Sequence, residues 1–260
     1  MKKMIVTLIA GLSVPAFAMT ADEIMQQVDQ VAEPQSMKSN MTMVLVDNKG
    51  KQRVRSMQSV SAEIDGVDKS LMFFLEPSDV KGTGFLMFDY EAADADDDQW
   101  MLLPSLGKAK RIASGDKTGS FMGSDFTYAD MSKRNLEEWT YELVKEDDIN
   151  GVKVWVIEST PVSDEVVEKT GYTKSIAYVR QDNFHITRGI SYLQKKGEVK
   201  LMNIANFVEI GGYWIATETQ MVSQKNGQTV HRTLMKMDNI DVDFNVNPDD
   251  FTLTRLEQGL

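Results

Sequence analysis

The chain contains no cysteine, two histidines and six prolines in 260 residues. Without cysteine there is no disulfide staple, no thiolate nucleophile and no zinc held through sulfur. His185 and His231 stand far apart, neither has a second histidine at metal-ligand spacing, and no H-E-x-x-H occurs, so the zinc-hydrolase pattern is missing. No G-x-S-x-G elbow is present, which leaves Ser-His-Asp hydrolysis without support. Gly115 to Ser120 lacks the Gly-Lys-Ser/Thr ending of a phosphate loop. Asp94, Asp96 and Asp98 imitate the start of a calcium loop, but Gln99 stands where the turn glycine belongs and Ser105 where the bidentate glutamate belongs. No cofactor, metal or enzymatic activity is expected. The net charge of −11 disfavours nucleic acid and anionic membrane surfaces as general partners.

Long apolar runs are also missing. The first, Met4 to Leu12, is far shorter than the ~20 residues that span a bilayer. It follows Lys2 and Lys3 and precedes Ala16-Phe17-Ala18, the layout of a cleaved secretory signal. Residues 1–18 are therefore expected to be removed, delivering residues 19–260 to the periplasm as one domain. No linker, low-complexity tract or internal repeat divides that remainder.

What the chain does have is alternation. After a helix expected from Thr20 to Pro34, with Thr20 as N-cap and Glu23 closing a capping box, the pattern becomes that of strands. Met41–Val46 and Arg53–Ile64 flank Asp47-Asn48-Lys49-Gly50. Further runs are Lys69–Leu75, Phe85–Tyr90, Gln99–Leu103, Trp139–Lys145, Val152–Ser159, Lys174–Val179, Ile186–Leu193, Val199–Ile210, Tyr213–Ser223 and Thr229–Ile240. Asn150-Gly151, Lys196-Gly197, Gly211-Gly212 and Asn226-Gly227 are tight-turn signals. Strands of ten or more residues must twist and curl. The expected fold is mainly β: a single curled antiparallel sheet forming an incomplete β-barrel, with a few helices on its concave side. Residues 113–135 and Ser163–Thr170 are expected to interrupt the sheet, with Ser124 or Asp125 capping a short helix in the first.

The stretch from Asp96 to Met131 carries a signature. Trp100–Pro104, Lys110-Arg111-Ile112 and above all Gly119-Ser120-Phe121-Met122-Gly123-Ser124-Asp125-Phe126 resemble the LolA-like outer-membrane lipoprotein-sorting family. More narrowly, the chain is similar to the branch found alongside RND/MMPL-type transporters. Glu76-Pro77, Lys81-Gly82-Thr83-Gly84 and Phe251-Thr252 support the resemblance. It implies an open β-barrel lidded by helices and periplasmic binding of acyl chains. The partners it implies are a lipid or lipoprotein, an RND/MMPL transporter and, transiently, a membrane, with the chain acting as a monomer. The chain does not align residue by residue with the archetypal lipoprotein carrier, so no ligand-retaining arginine is transferred.

Each CH₂ exposed to water costs about 0.8 kcal/mol, so a carrier must offer apolar lining comparable to its cargo. Fifteen of 17 methionines lie beyond the signal segment, and methionine adapts to irregular hydrocarbon. The expected lipid contacts are Trp100, Leu102, Phe121, Met122, Phe126, Tyr128 and Met131, with residues 113–135 as a lid over the cavity. Lys108, Lys110, Arg111 and Lys117 are the expected headgroup or partner contacts. The competing reading is an accessory module that docks on an exporter without cargo. A continuous apolar cavity favours carriage; a solid core with an exposed apolar patch favours docking.

Overall fold

The computed structural model describes residues 19–90 and 96–260. The expected signal segment 1–18 and Asp94 lie outside the described residues. Helix α1 (Ala21–Asp29) starts as its sequence indicates: the Thr20 hydroxyl accepts the Glu23 N–H at 3.2 Å, and the Glu23 carboxylate accepts the Thr20 N–H at 2.8 Å. Two orphan donors of the first turn are thereby satisfied.

The rest is one antiparallel sheet. Its strands are β1 (Ser36–Asp47), β2 (Gln52–Ile64), β3 (Val67–Glu76), β4 (Gly84–Tyr90), β5 (Asp98–Leu102), β6 (Ala109–Arg111), β7 (Trp139–Ile149), β8 (Val152–Pro161), β9 (Tyr172–Arg180), β10 (Ile186–Leu193), β11 (Glu198–Ile210), β12 (Tyr213–Lys225) and β13 (Gln228–Val242). The spatial order is β6-β5-β4-β3-β2-β1-β13-β12-β11-β10-β9-β8-β7. Two meanders thus meet where the first strand pairs with the last, and the sheet remains open between β6 and β7. Asn150-Gly151 and Asn226-Gly227 take positive φ at both turn positions, matching the right-handed twist of the hairpins they close.

Period two decides the faces. In β3, Met72 and Phe74 face one cluster, with Met43, Leu45, Met57, Phe85, Phe121 and Met221, while Leu71 and Phe73 face another. In β4, Phe85 and Met87 join the first cluster, and Leu86 and Phe88 the second. Both faces are covered, so these strands read as continuous apolar runs. The first cluster fills the concave side. The second lies outside, beneath α3 (Leu253–Gln258), whose Leu256 is fully buried. Helix α2 (Asp164–Thr170), capped by Ser163, places Val166 against Trp139 and Tyr172.

The open edges are protected. Edge strand β7 carries Glu142, Lys145, Glu146, Asp147 and Asp148, and a bulge interrupts it between Leu143 and Lys145. Edge strand β6 is three residues long and flanked by Lys108. Charge, shortness and bulging all discourage pairing with another chain.

Leu256→Ala tests the outer cluster. It is expected to cost ~2–5 kcal/mol through lost burial and the residual cavity, read as a lower urea midpoint with an unchanged m-value.

Candidate functional site

The space between the sheet edges is occupied by residues 112–138. This segment forms 3₁₀ turns at Ser114–Asp116, Phe121–Gly123, Ala129–Met131 and Leu136–Glu138, where a short helix is expected. Its centre is a tight reversal: Phe121 N–H bonds Phe126 O at 2.8 Å, and Tyr128 N–H bonds Gly119 O at 3.1 Å. Met122 and Gly123 both take left-handed backbone, φ 50 and 73, a conformation that glycine adopts without strain. Gly119 is restricted by space, since a Cβ there would lie 2.9 Å from Asp116 O.

Asp125 does not cap a helix. Its Oδ2 accepts the Thr233 hydroxyl at 2.7 Å and faces His231 Nδ1 at 2.7 Å, and its N–H donates to Thr233 Oγ1 at 2.9 Å. Arg55 donates to Met122 O. The distinctive motif is therefore bolted to β13 and β2 by buried polar bonds, which make its geometry specific.

The residues expected to touch lipid divide three ways. Phe121, 1% exposed, and Phe126 are buried in the concave cluster. Phe121 packs edge-on against Phe85 at 5.2 Å and Tyr128 at 5.6 Å, and Met122 packs beside them. Trp100 and Leu102 point the other way, toward Phe88, Leu86 and Leu256 in the outer cluster. Alternation along β5 explains this, because Gln99 and Met101 take the inner face. Met131 alone of the seven lines a cavity.

That cavity is a half-open groove of about 600 Å³, mostly apolar, with Glu33, Glu63, Asp68, Lys69, Asp89 and Lys133 along one side. Val28 in the last turn of α1, with Val31 and Pro34 just beyond it, forms one wall, and Phe184, Ile204, Phe207 and Ile215 another. Met37, Met87, Met131, Met202 and Met237 complete it. Trp214, 43% exposed, stands at its rim. The methionines come from five separated segments, so the sequence shows their abundance but not their convergence.

A second, polar cavity of about 810 Å³ lies beside it, between the plug segment, β7 and α2. The two share Val31, Glu33, Pro34, Glu63, Asp68, Asp89 and Lys133. Lys133 bridges Glu33 at 2.7 Å and Asp68 at 2.8 Å. Burial opposes the Lys133 charge, but hydrogen bonds to Asp68 and Glu33 outweigh it and raise its pKa. Asp89 accepts the Lys133 N–H at 2.5 Å. Burial, together with the like charges of Asp97 and Asp68, pushes the Asp89 pKa up to about 7 against that hydrogen bond.

The basic residues expected to act together are separated. Lys108, Lys110 and Arg111 are exposed at the β6 edge, with Arg111 Nε bonded to Asp98 at 2.7 Å. Lys117 turns inward, 2% exposed, and lines the polar cavity. Asp96 and Asp98, which imitate a calcium loop, are engaged by Ser114 and by Arg111 and Tyr90.

A family model described as "Uncharacterized protein" matches residues 66–258. A solved structure from Vibrio parahaemolyticus, described as an outer membrane lipoprotein-sorting protein domain, is 30% identical. It superposes with a TM-score of 0.82, covering 91% of this chain and 98% of that one. The chain belongs to the LolA-like outer-membrane lipoprotein-sorting family. A DUF1329 family protein from Desulfovibrio piger is 26% identical with a TM-score of 0.82, covering 91% and 97% of the two chains. A LolA superfamily protein from Nitrosomonas europaea, 19% identical over 90% of this chain and 98% of that one, shares the family fold at a TM-score of 0.67. No curated protein matches.

Asp89 gives a pH test. An acid whose folded pKa lies above its unfolded value holds its proton more tightly when folded, so stability falls as pH rises from about 4 to about 7. Asp89→Asn keeps an acceptor for Lys133 and removes this titration. The variant is expected to gain ~1–2 kcal/mol over wild type at pH 8, after discounting for solvent at the cavity mouth, and nothing at pH 4. Urea midpoints at the two pH values measure it.

Proposed function

We propose that this protein is a periplasmic carrier that shelters acyl chains of a lipid or lipoprotein in the methionine-lined cavity. The observation that carries this reading is the cavity itself: about 600 Å³, mostly apolar and open at its rim. It falls within the ~300–1,000 Å³ of small-molecule sites. Flexible thioethers suit a cargo with many conformers. A solid core would have favoured docking without cargo.

The plug is proposed to act from beneath. Phe121 and Phe126 support the inner face, and Met131, at the far end of the same segment, meets the hydrocarbon. The segment just after α1, held by the Lys133–Glu33 pair, is the movable wall. The N-terminal signal layout and the membership in a sorting family support a periplasmic setting, and the resemblance to the transporter-associated branch adds an RND/MMPL exporter as donor or acceptor.

Two substitutions separate site from scaffold. Phe207→Asp places a charge on the cavity wall at a half-buried position. It is expected to weaken displacement-measured affinity for a fluorescent fatty acid at least tenfold, about 1.4 kcal/mol, with the thermal midpoint nearly unchanged. Phe121→Asp buries an unpaired charge and is expected to destabilise the fold by ~3 kcal/mol or more. Wild-type probe affinity in Phe207→Asp would remove the cavity from the mechanism. Mass spectrometry of lipids extracted from the periplasmic protein identifies the natural occupant.

A further inference from the structure

The polar cavity contains two cations that its own carboxylates leave unpaired. The other two are matched, Lys169 with Glu138 at 2.8 Å and Lys133 with Glu33 and Asp68; Lys200, behind the wall, pairs with Asp130 at 3.4 Å. Arg134 has no carboxylate within 4.0 Å among the described residues. Its Nη2 donates to Ser175 Oγ at 3.1 Å, and its guanidinium carbon lies 4.0 Å from the centre of the Trp139 ring. Lys117 is almost wholly buried, yet its ammonium has one hydrogen-bond acceptor, the Asp97 carbonyl at 2.8 Å. Asp96 and Asp97 act on it from beyond ion-pair distance.

Burial works against the charge on both residues, but a guanidinium stays protonated throughout the physiological range. Trp139 and Ser175 fix the plane of the Arg134 fork, leaving its other N–H groups to the cavity. Asp29, Glu33, Glu63 and Glu137 also line this cavity, but they are exposed at its rim, where solvent screens them. Half-buried Asp130 acts on Arg134 from beyond ion-pair distance, and its carboxylate is already engaged by the Tyr172 hydroxyl at 2.7 Å and by Lys200 at 3.4 Å; Asp68 and Glu138 are likewise taken by Lys133 and Lys169. A fixed planar fork is suited to two oxygens of one oxyanion.

We propose that Arg134, assisted by Lys117, anchors the anionic headgroup, a phosphate or carboxylate, of the lipid whose chain fills the adjoining apolar cavity. This rests on the carriage reading and deepens it. The shared wall at Asp68, Asp89 and Lys133 is where such a lipid passes from hydrocarbon to headgroup.

Oleoyl lysophosphatidic acid and monooleoylglycerol carry the same chain, one with a phosphate and one neutral. Calorimetric titration of the full mature chain with each, below micelle formation, is expected to show at least tenfold tighter binding of the phosphate lipid. Arg134→Gln is expected to abolish that preference while leaving the neutral lipid's affinity intact. Arg134→Lys, which keeps the charge and loses the fork, should retain part of it and serves if the glutamine variant fails to fold. Equal affinity for the two lipids, or equal loss of both in the variants, overturns the headgroup site but leaves carriage standing. Binding of neither lipid overturns both. Inorganic phosphate binding as tightly as the phosphate lipid would make this a free-phosphate site and overturn the headgroup assignment.

Discussion

The pairing of the first strand with the last is the constraint on which the rest of the molecule depends. From Met37 opposite Val242 to Asp47 opposite His231, β1 and β13 join two meanders into a single curled surface. The join places Met57, Met41 and Met237 in one row across three strands. It also brings Thr233 and His231 to the plug, where Asp125 is held. The β1–β13 pairs connect residues about two hundred positions apart, so much of the interior forms only after a long loop has closed, an ordering that favours slow folding.

Once the sheet has curled, its two edges cannot meet, because β6 is too short and β7 too charged. The plug solves the resulting problem with polar bonds inside and apolar contacts around them. Asp125, Thr233 and Arg55 are buried, and such groups are tolerable only when their partners are fixed. The same opening leaves room for the polar cavity.

The strands and hairpins were legible because alternation and Asn-Gly turns are local signals. β3, β4 and β5 hid their facing, since apolar residues on both sides erase the alternation; Trp100 and Leu102 therefore look as suitable for a cavity as Met101. The short α3 and three-residue β6 are too brief for periodicity. Phe121 and Phe126 were legible as important, but a sequence string does not distinguish a wedge that seals from a surface that binds. Arg134 carried no signal: its meaning comes from Trp139 and Ser175, which are facts of packing. Lys117 was marked by its neighbours in the chain, and in space it leaves them.

The methionine lining has a chemical consequence. Oxidants convert a thioether to a sulfoxide, a polar and chiral group. Five sulfur atoms around one small chamber make its greasiness redox-dependent, since each added oxygen replaces hydrocarbon contact with an unsatisfied acceptor. A cavity lined this way keeps its apolar character best where methionine sulfoxide is reduced as fast as it forms.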